Sequence, residues 1–401
     1  MQDPADAPRG CIMKKGTLCN SSNDAHNLER RKGMARMTSK ERITKVLNHQ
    51  QTDRTPIFEY VFHRNIPEAL LGRKYYNFDA ETDQQEWAEY VKEVGLETAL
   101  RRYARDRLEL CRILGHDMLY CIPNPADYPS YRAFPGKQDF DPDDPVESLK
   151  ARNERRAFSI ANNPINEDNY LVFDFLNEEM KKQGMEIDVF APGYAHGAST
   201  DTELLLAMLM DDEVVREHYR LCTLDVKRSI DQMAKRGIRH IGVGGDFSGN
   251  RPIISPECYR KFIVPEVAET AAYVHSKGSW AVNASDGDLW SVIDDFLIST
   301  GVDAYMEIDS RAGMNLKRLK EGYGDRIAFY GNVDCGEVLS TYSPEKIAQI
   351  AVQCLEDGMG NGGHIFTASN AITPTVPVEN YLAMVNAYRD YFGLAPVKAK
   401  I

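Results

Sequence analysis

Carboxylates, histidines and neutral amides recur where short apolar runs of this chain turn polar. Asp246 follows the run His240–Gly244, and Glu307 follows Asp303–Met306. A carboxyl group buried at such a place holds its proton to higher pH and can act as a general acid. The competing reading of Asp246 is a cap on the next loop, and strand alternation could turn Glu307 towards a helix layer. His63, after the run Pro56–Phe62, and His196, within Pro192-Gly193-Tyr194-Ala195-His196-Gly197, titrate in a useful range unaided. A plain surface or core role stands beside that reading for each histidine. Tyr194 could donate to a substrate oxygen or pack beneath its loop. Asn283, Ser285, Asn332, Ser369 and Asn370 are candidate neutral groups for orienting a substrate. Asp286 and Asp334 read instead as anchors of loop backbone, and Cys335 as an inert thiol. The four acid–base candidates could converge on a metal, but no ligands stand at motif spacing, so no metal site is expected.

A set like this needs one scaffold that brings distant segments to one place. Continuous apolar runs with polar ends are the mark of buried parallel strands, and in a (β/α)8 barrel all those ends share one face. Candidate strands are Pro56–Phe62, Asp117–Ile122, Glu186–Ala191, His240–Gly244, Trp280–Val282, Asp303–Met306, Ile327–Tyr330 and His364–Thr367. A long helical stretch covers 86–114. Gly237, Gly278, Gly301 and Gly324 fit the left-handed position that closes a helix. Ser255-Pro256-Glu257 and Ser343-Pro344-Glu345 read as helix starts, with serine as cap and proline in the first turn. Residues 124–168, rich in Pro, Asp, Asn and Arg, read as an irregular insertion over the barrel mouth. The expected fold is therefore a single α/β (β/α)8 TIM barrel over 38–401, with an insertion after the second strand. A doubly wound open sheet is the alternative.

The 401 residues suffice for one large barrel, and a net charge of −12 argues against a nucleic-acid partner. No apolar stretch is long enough to cross a bilayer. The polar residues 1–37 lack the apolar core of a secretory signal and read as a leader, either disordered or artificially appended. None of the eight cysteines forms a C-x-x-C pair, which with the missing signal makes a cytoplasmic location the expectation.

With these segments placed, the chain resembles the uroporphyrinogen decarboxylase superfamily, which includes corrinoid-linked methyltransferases. The likeness rests on Ser39-Lys40-Glu41-Arg42 through Asp53-Arg54-Thr55-Pro56 and on Ile254-Ser255-Pro256-Glu257. It continues in Ser285-Asp286-Gly287, Gly331-Asn332-Val333-Asp334 and Pro374-Thr375-Val376-Pro377-Val378-Glu379-Asn380. It covers about 38–393 and implies the same barrel. The decarboxylases carry Arg-Gln-Ala-Gly-Arg after the first strand to meet substrate carboxylates, where this chain reads Glu59-Tyr60-Val61-Phe62-His63-Arg64. Their aspartate after the second strand is replaced by Ile122-Pro123-Asn124, and their late histidine by Asn370. The thiol-methylating branch carries a zinc-binding His-x-Cys and a later Cys. Here those places read Asn283-Ala284-Ser285 and Ser369-Asn370, which are not usual zinc ligands.

The resemblance that remains is to enzymes that pass a methyl group from a small methylated compound to a corrinoid protein. The cobalt(I) corrinoid is the nucleophile, so the enzyme's task is the leaving group. Displacing an alkoxide or phenoxide needs a proton or other electrophilic help, which suits a methyl ether as substrate. The resemblance thus implies a corrinoid (cobalamin) cofactor carried by a partner protein, and it leaves room for a homodimer. A divergent tetrapyrrole decarboxylase and a non-catalytic corrinoid- or tetrapyrrole-binding module are the alternatives.

Overall fold

The apolar runs pair as seven parallel strands in the order of the chain. They are β1 Met118–Tyr120, β2 Asp188–Ala191, β3 His240–Gly244, β4 Trp280–Ala284, β5 Ala304–Met306, β6 Ala328–Tyr330 and β7 His364–Ile365. The computed structural model describes residues 36–126, 131–136, 141, 143–360 and 362–400. The expected leader therefore falls almost wholly outside the described residues. Met37 already belongs to the folded unit Met37–Ile401, where its N–H donates to Asp53 Oδ2 (3.1 Å).

The sheet curls. Phe190 on β2 and Tyr330 on β6 bring their ring centroids to 6.1 Å. In a flat sheet, strands four places apart would lie about 19 Å from each other. Small residues make room for this inward packing: Ala284, Ala304 and Ala328 face the same interior as Phe58, Phe190 and Tyr330. A second, larger apolar cluster fills the space between the sheet and the surrounding helices.

The expected first strand is not an assigned strand, although it is placed like one. Phe58 N donates to Phe366 O (3.1 Å), Phe366 N to Pro56 O (2.8 Å), and Asp117 N to Ile57 O (2.8 Å). Isolated parallel bridges join Ile57 to Phe366 and Phe62 to Ile372. Residues 56–58 thus bond to segments at both edges of the seven-stranded sheet.

Three other expectations change in detail. The stretch 86–114 is two helices, Gln84–Val94 and Leu96–Leu114, separated at Gly95, whose φ of +83° breaks the helix. Gly324 closes its helix with φ −68°, whereas Gly237, Gly278 and Gly301 are left-handed as expected. The stretch read as irregular insertion holds an 18-residue helix, Pro145–Asn162. Asp144 caps it by accepting from Val146 N and Glu147 N, with Pro145 in the first turn. The helix is fixed to the body by Ser148 Oγ to Glu203 (2.7 Å), Arg152 to Asp201 (2.8 Å) and Asn153 Nδ2 to Val214 O (3.0 Å). Residues 127–130, 137–140 and 142 of that stretch lie outside the described residues. Among the described residues no helix is long and apolar enough to cross a membrane.

Candidate active site

Parallel registration places three acids side by side. Gly244 pairs with Ala284, and Ala284 with Met306. Asp246 and Asp286 each stand two residues beyond those partners, and Glu307 stands one beyond Met306. One carboxylate oxygen from each of Asp246, Asp286 and Glu307 lies within 4.8 Å of the other two. Asp246 is exposed, Asp286 half-buried and Glu307 only 8% exposed, so the group runs from solvent towards the interior of the curled sheet.

Glu307 enters this group by breaking strand alternation. Met306 faces the interior, so a regular strand would turn Glu307 to the helix layer. Instead Glu307 takes φ +70°, in the left-handed region that costs a non-glycine residue about 1–2 kcal/mol. Such strain persists only where the surroundings hold it. Burial, then the charges of Asp286 and Asp246, push the Glu307 carboxyl well above the usual range. Asp286 is pushed up to about 7 by burial and by Asp246 and Asp309, against a hydrogen bond from Asn370 Nδ2 (2.7 Å). Asp246 Oδ1 accepts from Asp286 N (3.0 Å), so it anchors loop backbone and joins the acids at once.

Tyrosines line the inner side. Tyr60 donates to Tyr120 Oη (3.4 Å), and burial with the charges of Glu307, Asp246 and Asp286 keeps its phenol protonated. Tyr194 is held protonated in the same way by burial, Tyr60, Glu307 and Asp246. Its ring occupies the space a side chain at Gly242 would need, since a Cβ there would meet Cε1 at 2.4 Å.

The other expected site residues lie apart from the acids or act on the backbone. His196 is buried against the helix Asp212–Lys235, where Nε2 meets Thr223 Oγ1 (2.9 Å). Burial, with His218 and Arg156, pulls its pKa down to about 3. His63 Nδ1 meets Thr82 Oγ1 (2.8 Å); burial lowers its pKa, and the charge that opposes this is Asp83. Among the described residues, the one group of His, Cys, Asp and Glu close enough to share an ion contains neither histidine. Asn283 donates to Phe296 O (3.0 Å) behind β4, and Ser285 Oγ donates to Asp286 O (3.0 Å). Asn332 Nδ2 reaches Ile308 O (3.4 Å), and Ser369 Oγ accepts from Cys335 N (3.3 Å). Of the neutral candidates, Asn370 is the one bonded to the acids. Asp334 caps the Gly336–Val338 backbone, and burial raises the Cys335 thiol to about 11.

Sequence reasoning missed Asp286 and Tyr60 as site residues. Asp286 comes level with Asp246 because β4 runs to Ala284, two residues past the expected end at Val282. Tyr60 carried a two-residue spacing from inward-facing Phe58. Glu59, between them, points away: it accepts from Thr367 Oγ1 (3.0 Å), and burial raises its pKa to about 7. The folded protein therefore holds this proton more tightly than the unfolded chain, whose value is near 4.5. Below about pH 4.5 both states are protonated; as pH rises to 7 the native state loses on the order of 3 kcal/mol relative to the unfolded chain, and above 7 the loss is constant. Glu59→Gln is accordingly expected to be more stable than the parent at pH 8 and little changed at pH 4.5, by urea unfolding. Parallel stability profiles for the two proteins would contradict this.

The fold is that of an α/β protein, and its group of acids lies at the C-terminal ends of parallel strands. The family described as Uroporphyrinogen decarboxylase (URO-D) matches residues 191–391, and the chain belongs to that family. It is 28% identical to the uroporphyrinogen decarboxylase of Coxiella burnetii over 145 residues, 35% of this chain and 38% of that protein. It is 36% identical to that of Pseudoalteromonas translucida over 96 residues, 24% of this chain and 25% of the other. These matches span well under half the length of either relative. In structure the chain is similar to a methyltransferase from Methanosarcina mazei, with TM-score 0.60, 17% identity, and 89% of this chain and 99% of that one covered. At that identity the likeness is one of fold.

Proposed function

We propose that this chain closes into a (β/α)8 barrel, with residues 56–58 as its eighth stave, and moves a methyl group from a small methylated substrate to a corrinoid protein. The observation that carries the reading is the rim of acids itself. Uroporphyrinogen is a polycarboxylate and needs cationic partners, yet no ion pair among the described residues reaches Asp246, Asp286 or Glu307. A rim of carboxylates repels such a substrate and favours one whose leaving heteroatom needs a proton. Glu307, kept uncharged by burial and by its neighbours, is placed to give that proton as the carbon–oxygen bond of a methyl ether breaks. The electron pair of that bond stays on oxygen, and the methyl group passes to cobalt(I). The charges of Asp286 and Asp246 keep the proton on the donor, Asn370 fixes Asp286, and Tyr60 and Tyr194 line the inner side.

Asn124 supports the same choice. It belongs to the stretch Ile122-Pro123-Asn124, which lacks the aspartate of the decarboxylases, and its side chain fixes a helix start, accepting from Val172 N (3.0 Å) and donating to Asp168 O (2.9 Å). The corrinoid partner and a cytoplasmic setting belong to this proposal. Incubation with a cobalt(I) corrinoid protein and methyl ethers is expected to give the absorbance of methyl-cobalt, and uroporphyrinogen to release no carbon dioxide. Carbon dioxide release, or no methyl-cobalt from ethers, amines or thioethers, would overturn the reading.

A further inference from the structure

Three carboxyl groups within 4.8 Å can all ionise together only beside a positive partner, and no ion pair among the described residues supplies one. The hydrogen bonds they accept come from Asn370 Nδ2 and from Asp286 N. Two separate observations point to a missing ligand. The Tyr194 hydroxyl is closed off from solvent and has no hydrogen-bond partner among the described residues, while its phenol lies in the field of Glu307 and Asp246. The carboxylate of Glu307, on a residue 8% exposed, likewise accepts no hydrogen bond among the described residues. A buried polar group left alone costs about 1–3 kcal/mol, so the Tyr194 hydroxyl, in the field of the unbonded Glu307 carboxyl, is better explained by something that binds there.

We infer that Asp246, Asp286 and Glu307 form a binding site for a hard divalent cation, Mg²⁺ or Mn²⁺. The donors are all carboxylate oxygens, which selects hard ions over thiolate-seeking zinc. Oxygens on one octahedral ion with bonds of about 2.1 Å lie about 3 Å apart when adjacent and about 4.2 Å when opposite. The observed limit of 4.8 Å needs a closure of less than about an ångström to reach that geometry. Two positive charges among three negative ones remove most of the repulsion. The exposed side of Asp246 gives the ion a route from solvent. In the loaded protein the cation takes the place of the Glu307 proton as the electrophile facing the leaving heteroatom. That use rests on the methyl-transfer reading, whereas the binding does not.

The test is a titration of chelator-treated protein with MnCl₂ alone, without corrinoid or methyl donor, following free Mn²⁺ by electron paramagnetic resonance. Uptake of about one ion per chain is expected, weakened at least about tenfold in Glu307→Gln and in Asp246→Asn. Asp246 is exposed, so its variant keeps the fold, and circular dichroism checks both. No stoichiometric uptake at millimolar Mn²⁺, or uptake unchanged in both variants, would overturn the site. Because no methyl donor is present, that outcome leaves the methyl-transfer assay free to succeed or fail separately.

Discussion

Glu307→Gln is expected to slow methyl transfer to the corrinoid protein by about 10²–10³-fold, the range for loss of a positioned general acid. The substitution keeps size and shape, so the strained backbone at φ +70° and the packing around it have no reason to move. It removes the group's ability to give a proton, and it weakens any cation held there. It also replaces a buried group that can ionise beside two other acids by one that cannot, so the folded protein should be at least as stable as the parent. Loss of rate with stability kept or raised separates a catalytic role from a structural one. The measurement is single-turnover formation of methyl-cobalt at saturating substrate, set beside a urea unfolding curve. A rate within threefold of the parent would remove Glu307 from the chemistry. A rate loss matched by a fall in stability would make its role one of packing.

The carbon–oxygen step also predicts which neighbours matter less. Asn370 donates to Asp286 and touches no other acid, so its loss acts through the charge of Asp286 and not on the substrate. The His196 ring is bonded to Thr223 and not to the acids. Its hydroxyl partner in turn donates to Glu266 (2.6 Å), which ties the histidine into a packing contact.

How much of this was open to a reader of the sequence follows from the period of a buried strand. His240–Gly244 is a continuous apolar run with both faces covered, and its bounds come out as expected. Pro56–Phe62 looked the same in sequence but forms only bridges, because pairing depends on neighbours and not on composition. The helix Pro145–Asn162 was hidden by its polar face and by the prolines and aspartates before it, although Asp144-Pro145 is itself a helix-start signal. At the site, strand order made Asp246, Asp286 and Glu307 neighbours, but whether an acid caps a loop or faces the pocket turns on one or two backbone angles. Glu307 joins by a left-handed φ that no residue pattern around it announces. Asp286 was missed because β4 runs two residues past the expected end at Val282, and only that pairing of Ala284 with Gly244 puts it level with Asp246. The histidines misled because titration range says nothing about position.

Asp117→Ala is expected to lower stability by about 3–5 kcal/mol, the cost of removing one partner from a buried ion network. Asp117 is fully buried and accepts from Arg42 Nη1 (2.5 Å), Arg54 Nη1 (2.6 Å), Arg54 Nη2 (2.8 Å) and Ile57 N (3.0 Å). Those bonds lie where residues 56–58 meet the start of β1, the seam between the two edges of the sheet. Arg42 is 2% exposed and would keep Asp53, while Arg54 would keep Tyr388 Oη (2.5 Å) and Gly115 O (3.3 Å). Two guanidinium groups would then share one carboxylate, and the N–H of Ile57 would have lost its acceptor. Glu86→Gln is the control, because the Arg64–Glu86 pair is 47% and 35% exposed and should be worth less than about 1 kcal/mol. Urea midpoints with unchanged slopes measure both variants. If the seam is what holds the edges together, Asp117→Ala should also expose the backbone amides of Phe58 and Phe366 to faster hydrogen exchange than those of β3 and β4. A uniform rise in exchange across the sheet would mean that the network stabilises the barrel as a whole, and a midpoint shift no larger than that of Glu86→Gln would mean that it does neither.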